Sequence, residues 1–417
     1  MVPKGWSSSQ LGEIMSFKNG LNFTKTDNGD SVKIVGVGDF KDLSELSSTE
    51  HLELISVAGR IRDEELLNNG DLLFVRSNGN KDLIGRCMFF PEVRERLSFS
   101  GFTIRGRVIN ESTLPAYMAI VARSSQFQMQ ISKASGGTNI SNLSQQILND
   151  INLLLPPLIE QKKIAEILST WDKAISVTEK LLTNSQQQKK ALMQQLLTGK
   201  KRLLDENGTR FSETWKLYAL SELFQRVTTK NNGKSNNVVT ISGQHGLIKQ
   251  EDFFKKTVAS DTLDGYFLLK KGQFAYNKSY SNGYPMGAIK RLNRYPEGVV
   301  TTLYICFELT TPEKSCGDYW EHYFESGLLN NSLSQIAHEG GRAHGLLNVK
   351  PSDFFSLKVA VPGFEEQQKI ASVLSAADTE ISTLEKKLAC LKDEKKALMQ
   401  QLLTGKRRVK VDEAVAV

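Results

Sequence analysis

Two polar loops containing glycine carry the side chains in this sequence whose types and spacing suggest chemistry. The first is RSNGNK at 76–81, directly after the apolar run Asp71–Val75, and the second is SGGTNISN at 135–142. Arginine and lysine can donate to O6 and N7 of guanine, asparagine can pair with N6 and N7 of adenine, and serine, threonine and backbone N–H groups suit phosphate oxygens. Surface turns favour the same residue types, so one such loop alone is equally well explained as a solvated turn.

Both loops have counterparts in the second half of the chain, with different side chains. NKSYSNGY at 277–284 corresponds to the first loop, and EGGRAHG at 339–345 corresponds to the second. Two modules that read two different base sequences need equivalent positions with unlike chemistry, so the recurrence favours DNA contact over plain turns. The candidate DNA-contacting residues are Arg76, Ser77, Asn78, Lys81, Thr138 and Asn139 in the first half, and Lys278, Tyr280, Asn282, Arg342 and His344 in the second.

Motifs for catalysis, nucleotide binding and metal binding are missing from the sequence. No phosphate-binding loop of the G-x-x-x-x-G-K type occurs, and Gly36–Asp39 lacks the third glycine and the following helix of a dinucleotide site, which predicts a turn there. The four cysteines lie far apart, and the five histidines have no metal-ligand spacing. We therefore expect a chain that is not an enzyme and has no catalytic residues, metal or cofactor of its own.

The composition is that of a globular protein large enough for two or three domains. Of 417 residues, 40% are hydrophobic, and lysine plus arginine outnumber the acidic residues 53 to 46, which gives a net charge of +7. This modest excess agrees with a phosphate-bearing partner without requiring one. The sequence starts without the pattern of a signal peptide and has no apolar run long enough to span a bilayer, so we expect a cytoplasmic protein.

An internal repeat organises the whole sequence. Residues 156–202 align without gaps on residues 362–408, and KKALMQQLLTGK is identical at 189–200 and 395–406. The upstream parts match only at scattered positions, such as the W-x-x-x-x-L-x-E pattern that begins at Trp6 and at Trp215. Each half is thus a variable globular segment followed by a nearly identical one.

The repeated segment is predicted to be a long helix. Its apolar residues recur at steps of three and four, which is the pattern of a coiled-coil seam. After the opening Pro156-Pro157 or Pro362-Gly363 it contains no helix breaker until Gly199 and Gly405. Thr178, Ser185 and Lys189 interrupt the seam of the first copy. Since a globular segment separates the two helices in the chain, we expect them to pair with each other in antiparallel orientation.

The identity between the two helices extends beyond this seam. A coiled-coil core constrains only the seam residues, whereas lysines and glutamines on other faces are repeated here as well. This favours two equivalent docking surfaces for two copies of one partner; the alternative is a duplication too recent to have diverged. The candidate partner-binding residues are Lys189, Leu192, Gln195 and Leu196 in the first helix, and Lys395, Leu398, Gln401 and Leu402 in the second.

The variable segments are predicted to be mixed, with mostly strands and loops. Runs of β-branched and aromatic residues predict strands at Ser31–Val37, Asp71–Val75, Val238–Ser242 and Val299–Leu309, and short helices are predicted at Pro115–Gln130 and Asp318–Asn330. The predicted fold class is α+β, with two mixed α/β domains in a pseudo-twofold arrangement, separated by two long antiparallel coiled-coil helices. The predicted segments are a first recognition domain at 1–155, a central helix at 156–205, a second recognition domain at 206–361, and a distal helix with a basic tail at 362–417.

This organisation resembles the specificity subunit of a type I restriction–modification enzyme. The resemblance covers essentially the whole chain and rests on EQKKIA or EQQKIA at the start of each helix, KKALMQQLLTGK at its end, and W-x-x-x-x-L-x-E in each half. It implies two target recognition domains, each reading one half of a bipartite, asymmetric duplex site, with the helices as a spacer. It also implies two modification subunits that bind S-adenosylmethionine and methylate adenine, and restriction subunits that use ATP and Mg²⁺. None of that chemistry would reside in this chain.

Two other classes of function fit parts of the sequence. A duplicated adaptor that binds proteins or glycans would show no salt-sensitive binding to duplex DNA. An enzyme with an unrecognised active site, such as a nuclease, would cut DNA as the purified chain alone.

Overall fold

The structure is a computed structural model that describes residues 2–22, 24–40, 45–46, 48–134, 142–254, 262–337 and 347–411. It divides into two compact units. Unit 1 takes the residues up to 179 together with those from 387 onward, and unit 2 takes residues 180–386. Each unit therefore contains one variable segment and a part of both long helices, so the units do not coincide with the repeats of the sequence.

The variable segment of unit 1 consists of short strands and short helices. In chain order they are β1 (Ser7–Gln10), α1 (Leu11–Ile14), β2 (Met15–Asn19), β3 (Lys25–Val35), β4 (Leu54–Val57), β5 (Asp71–Val75), β6 (Cys87–Phe90), β7 (Leu97–Phe99), β8 (Thr103–Val108), α2 (Pro115–Ala122), α3 (Ser125–Ala134), α4 (Gln145–Asn149) and β9 (Asn152–Leu155). The sheets of the described residues have the strand orders β2-β8-β5-β6, β4-β3-β7 and β1-β9.

Strand β5 is buried along its whole length because both of its faces are covered. Leu72 and Phe74 belong to the core that contains α2 and α3, whereas Leu73 and Val75 belong to a second core on the other face of the sheet. The continuous apolar run that predicted this strand is the pattern of a strand with no solvent face.

Unit 2 repeats this plan with its own strands and helices. They are β10 (Lys216–Ala219), α6 (Leu220–Leu223), β11 (Phe224–Arg226), β12 (Val239–Ser242), β13 (Gly246–Lys249), α7 (Gln250–Phe254), β14 (Phe267–Lys270), β15 (Phe274–Asn277), β16 (Ala288–Arg291), β17 (Glu297–Val300), β18 (Ile305–Leu309), α8 (Gly317–Glu325), α9 (Asn330–Ile336), α10 (Pro351–Ser356) and β19 (Lys358–Val361). The sheet orders are β11-β18-β15-β16, β12-β13, β14-β17 and β10-β19.

The central sheets of the two units have the same plan, with β2, β8, β5 and β6 in one and β11, β18, β15 and β16 in the other. Beneath the sheet of unit 2, Phe224 packs edge-on against Phe307 and Trp320, with ring centroids 5.2 and 5.0 Å away. These aromatic contacts give the unit a close-packed core.

Most of the predicted strands and helices are present, and three of them are interrupted. The predicted strand Val299–Leu309 is two strands, because Tyr304 donates its backbone N–H to the carbonyl of Thr301 (3.2 Å) and closes a turn between them. The predicted helix Pro115–Gln130 ends at Ala122, and Ser124 accepts a hydrogen bond from the N–H of Phe127 (3.2 Å) to start α3. The predicted helix Asp318–Asn330 corresponds to α8, which ends at Glu325, and a separate helix, α9, begins at Asn330. The predicted turn at Gly36–Asp39 is confirmed by a 3-10 turn at Val37–Asp39.

The two long helices are unbroken: α5 spans Leu158–Leu196 and α11 spans Phe364–Leu403. After each of them comes a glycine with positive φ, +70° at Gly199 and +66° at Gly405, as predicted for helix C-termini. Among the described residues, no helix combines the length and the apolar content needed to cross a bilayer.

Within each unit the two helices lie side by side in antiparallel orientation. In unit 1, Asp172 pairs with Lys395, and Glu179 pairs with Lys392 (2.7 Å). In unit 2, Lys189 pairs with Asp378, and the hydroxyl of Ser185 donates to Glu380 (3.1 Å). Residue numbers rise along α5 while those of the partners fall along α11, which confirms the predicted orientation.

The polar residues on the helical seam have partners. Lys189 and Lys395 form the equivalent ion pairs of the two units, and the buried hydroxyl of Thr178 donates to the carbonyl of Ala174 (2.8 Å). Coiled-coil packing along the whole seam stays a prediction.

Candidate nucleic-acid interface

In unit 1, the first predicted loop follows β5 and is hydrogen-bonded to two neighbouring segments. The backbone N–H of Arg76 donates to the carbonyl of Phe102 (2.8 Å), in the turn between β7 and β8, and its guanidinium donates to Gly101 (3.4 Å). The carbonyl of Arg76 accepts from the N–H of Leu143 (2.8 Å), which comes just after the second predicted loop in the sequence. The start of the first loop is therefore held by segments from two other parts of the unit.

Unit 2 holds its first loop in the same way. The carbonyl of Lys278, at the end of β15, accepts from the N–H of Leu347 (3.0 Å), just after the second loop of that half. The ammonium group of Lys278 donates to the carbonyl of Val349 (3.4 Å). Burial and the nearby Arg226 lower the pKa of Lys278. Arg76 and Lys278 are thus equivalent cations at equivalent strand ends.

The predicted asparagine of the first loop has a structural role as well. The side-chain oxygen of Asn78 accepts from the N–H of Asn80 (2.7 Å), and that of Asn277 accepts from Ser279 (3.0 Å) in unit 2. Hydrogen bonds of this kind are typical of ordinary solvated turns, which is the alternative explanation that the sequence left open for these loops. In Asn78 the amide nitrogen carries the two donors that this bond does not use.

The remaining candidates fall into two groups. Ser77 is half-buried, whereas Tyr280 and Asn282 are exposed. Lys81 begins a 3-10 turn, but its side chain lies outside the described part of the structure, as do Thr138, Asn139, Arg342 and His344. The structure therefore places the first loop of each half, and the second loop only through the residues that follow it.

A polar side chain fixes the start of the strand that leads to each loop. Asp71 is completely buried and accepts two hydrogen bonds from Arg107 (2.7 Å each) and one from the N–H of Asn68 (2.7 Å). In unit 2, Gln273 accepts from the N–H of Lys270 (2.7 Å) in the same manner. An acid in one half and an amide in the other accept the same kind of backbone hydrogen bond, so this position anchors the strand that leads to the loop.

The repeated glutamates and tryptophans form a second anchor, at the start of each long helix. Glu366 is buried and accepts from Arg202 (2.6 and 2.7 Å) and from the indole of Trp215 (3.2 Å). In unit 1, Glu160 accepts from Arg408 and from Trp6, in the corresponding arrangement.

The adjacent glutamines tie each helix to its globular segment. Gln161 accepts from the N–H of Leu114 (2.8 Å), and Gln367 accepts from that of Cys316 (3.0 Å). The repeated E-Q motif therefore joins helix and variable segment rigidly.

Comparison with known proteins shows which proteins this chain is similar to. Residues 3–184 match the type I restriction modification DNA specificity domain. Along 98% of the chain, the sequence is 26% identical to the putative type I restriction enzyme MjaX specificity subunit of Methanocaldococcus jannaschii, covering 95% of that protein. It is 23% identical to the EcoKI specificity subunit of Escherichia coli K12, over 93% of this chain and 85% of that one.

Solved structures of the same kind have a similar fold. The HsdS subunit from Thermoanaerobacter tengcongensis aligns with a TM-score of 0.51 at 16% identity, over 97% of this chain and 98% of that one. The S subunit from M. genitalium aligns with a TM-score of 0.55 at 13% identity, over 96% of each chain. Residues 3–184 thus match a DNA specificity domain, and nearly the whole chain is similar to specificity subunits of type I restriction enzymes.

Among the described residues, no group of three or more histidine, cysteine, aspartate or glutamate side chains is arranged to hold a metal. Cys87 and Cys306 are buried, and burial raises the pKa of each thiol to about 12, which disfavours a nucleophilic thiolate.

The predicted partner-binding residues of the two long helices differ in exposure. Leu196 and Leu402 are buried in the cores of units 2 and 1, and Leu192 and Leu398 pack against the same cores. Packing within the chain thus accounts for these four leucines, as the ion pairs to Asp378 and Asp172 account for Lys189 and Lys395. The repeated side chains that remain exposed are Gln195 and Gln401, with Lys190, Gln194, Lys396 and Gln400 beside them.

Proposed function

We propose that this protein is a specificity subunit that recognises a bipartite, asymmetric duplex site and directs adenine methylation or restriction of the DNA by partner subunits. Each variable segment reads one half of the site, with 1–155 and 206–361 as the recognition domains and with the helical segments 156–205 and 362–417 as the spacer. The observation that carries this proposal is the equivalent anchoring of Arg76 and Lys278. The scaffold is the same in both units, and the side chains presented to the solvent differ.

The two cations suit guanine edges, and the amide of Asn78 and the hydroxyls of the loops suit adenine edges and phosphates. Thr138, Asn139, Arg342 and His344 extend the same surface in this proposal, together with Ser77, Lys81, Tyr280 and Asn282. The net charge of +7 adds non-specific attraction, which falls as the salt concentration rises.

We assign the partners to the repeated helix ends. Two modification subunits bind at the exposed faces around Gln195 and Gln401, because internal packing does not account for the identity of those faces. The restriction subunits join this complex in the cytoplasm. S-adenosylmethionine, ATP and Mg²⁺ belong to the partner subunits, and this chain holds no cofactor.

Exchange of one recognition domain tests the proposal. Replacing residues 1–155 with the corresponding segment of another specificity subunit is expected to change one half of the methylated motif and to leave the other half and the gap intact. Single-molecule mapping of methyladenine in cells that express the hybrid gives both halves at once. A motif that changes in both halves, or in neither, contradicts the assignment.

Substitution of Arg76 tests the reading loop itself. Arg76→Ala is expected to weaken binding to the cognate duplex by about 1–3 kcal/mol, through one half-site only, because a base contact is lost. Arg94→Ala is the matched control, since Arg94 is an exposed arginine of the same unit that pairs with Glu92 (2.8 Å). Equal weakening on unrelated duplexes would mean that Arg76 touches phosphate alone.

A further inference from the structure

Two exposed apolar side chains occupy corresponding positions beside the reading loops. Phe102 is 61% exposed and Leu303 is 59% exposed. Each lies in the turn that precedes a strand of the central sheet, β8 in unit 1 and β18 in unit 2. Neither side chain contributes its apolar surface to the core of its unit.

The strand pairing places each of them at the end of the sheet where the loop cation lies. In unit 1, Val75 pairs with Thr103, so the next step of the antiparallel register sets Arg76 against Phe102. In unit 2, Tyr276 and Ile305 are the last pair of the ladder, and Lys278 and Leu303 each lie two residues beyond it at the same end of the sheet. The two halves thus share an arrangement of one cation and one exposed apolar side chain, although the residue types differ.

The turns that carry these side chains are fixed in place. In unit 1, the N–H of Gly101 donates to the carbonyl of Leu21 (2.7 Å), and the carbonyl of Phe102 accepts from Arg76. A Cβ atom at Gly101 would lie 2.0 Å from the side-chain oxygen of Asn22, so a larger residue there would displace that side chain. In unit 2, the hydroxyl of Thr301 accepts from the N–H of Leu303 (3.3 Å). In each half of the chain, a firmly held turn keeps a large apolar side chain in water. The protein thus lacks the stabilisation that burial of these two side chains would give.

We propose that Phe102 and Leu303 contact the nucleobases of the target, one in each half-site, next to the cation of the same unit. This inference rests on the proposed function. An apolar side chain has no favourable contact with a phosphate, but it packs against the C5-methyl of thymine or against an exposed base step. Phenylalanine in one half and leucine in the other then contribute to the asymmetry of the target.

The test uses the full chain assembled with its modification subunits. Binding is measured to a duplex with the methylated motif and to an unrelated duplex, over a range of salt concentrations. Phe102→Ser is expected to weaken binding to the motif about tenfold and to leave binding to the unrelated duplex unchanged. The slope of log K against log salt stays the same, because no phosphate contact is lost. Leu303→Ser is expected to act in the same way through the other half-site.

Ile109→Ser is the matched control, because Ile109 is 60% exposed and follows β8 directly at the end of the strand opposite to Phe102. It is expected to bind both duplexes as the parent does, and Phe102→Leu is expected to retain most of the affinity for the motif. The inference is overturned if Phe102→Ser behaves like Ile109→Ser, if it weakens both duplexes equally, or if Phe102→Ser and Leu303→Ser affect the same half-site. If the parent complex itself shows no preference for a split target, the proposed function fails instead.

Discussion

Insertion of one heptad into both long helices is expected to move recognition to a target with a longer gap. The insertion repeats Ala174–Lys180 directly after Lys180 in α5, and Glu380–Lys386 directly after Lys386 in α11. Both sites fall where the helices pass from one unit to the other, so the ion pairs Asp172–Lys395 and Lys189–Asp378 keep their partners. Seven helical residues add about 10 Å, the length of about three base pairs.

The expected readout is a methylated motif whose two halves are unchanged and whose gap is longer by up to about three base pairs. The same heptad inserted into α5 alone is the control. It puts the two helices out of register on one side of the insertion, and methylation is expected to be lost. If the paired insertion left the gap unchanged, the helices could not be what sets it.

Glu366→Ala is expected to destabilise unit 2 by about 3 kcal/mol. The substitution removes a buried carboxylate from Arg202 and Trp215 together, and loss of one partner from a buried ion pair typically costs 3–5 kcal/mol. We expect the lower end of that range because the side chain of Arg202 is 19% exposed and regains some water. Amide hydrogen exchange in β10, β19 and the start of α11 measures the effect within the intact chain.

Glu365→Ala is the matched control for this substitution, since Glu365 is the exposed neighbour of Glu366 on the same helical turn. It is expected to change the free energy of opening by no more than about 0.5 kcal/mol. Equal protection in the two variants would show that the Arg202–Glu366 contact contributes no stability.

The long helices were predictable from the sequence because their period is sustained over many turns and both end at glycine. The same holds for β5, whose continuous apolar run reflects burial on two faces. The break in Val299–Leu309 was not predictable in this way, since the turn at 301–304 consists of Thr, Thr, Leu and Tyr and contains neither glycine nor proline. The break before α3 had a local signal, the capping residue Ser124, which the apolar pattern on both sides obscured.

The reading loops could be predicted because the internal repeat aligns polar segments that correspond in the two halves of the sequence. Phe102 and Leu303 were missed because their significance depends on strand pairing, which puts them at the same ends of the sheets as Arg76 and Lys278. Glu160 and Glu366 were visible as parts of a repeated motif, but their partners lie in distant parts of the sequence. Contacts of this kind depend on tertiary structure, and local composition does not encode them.

The last turns of each repeated helix complete the core of the other repeat's globular segment. Leu196 and Leu197 pack with Leu220 in unit 2, and Leu402 and Leu403 pack with Leu11 in unit 1. In a polypeptide with only one repeat, the end of the long helix would be free to pack into the globular segment of a second copy. Two such copies would then complete each other's cores by exchanging these helix ends. Fusing the copies makes that exchange internal, and it frees two once-identical reading surfaces to diverge independently.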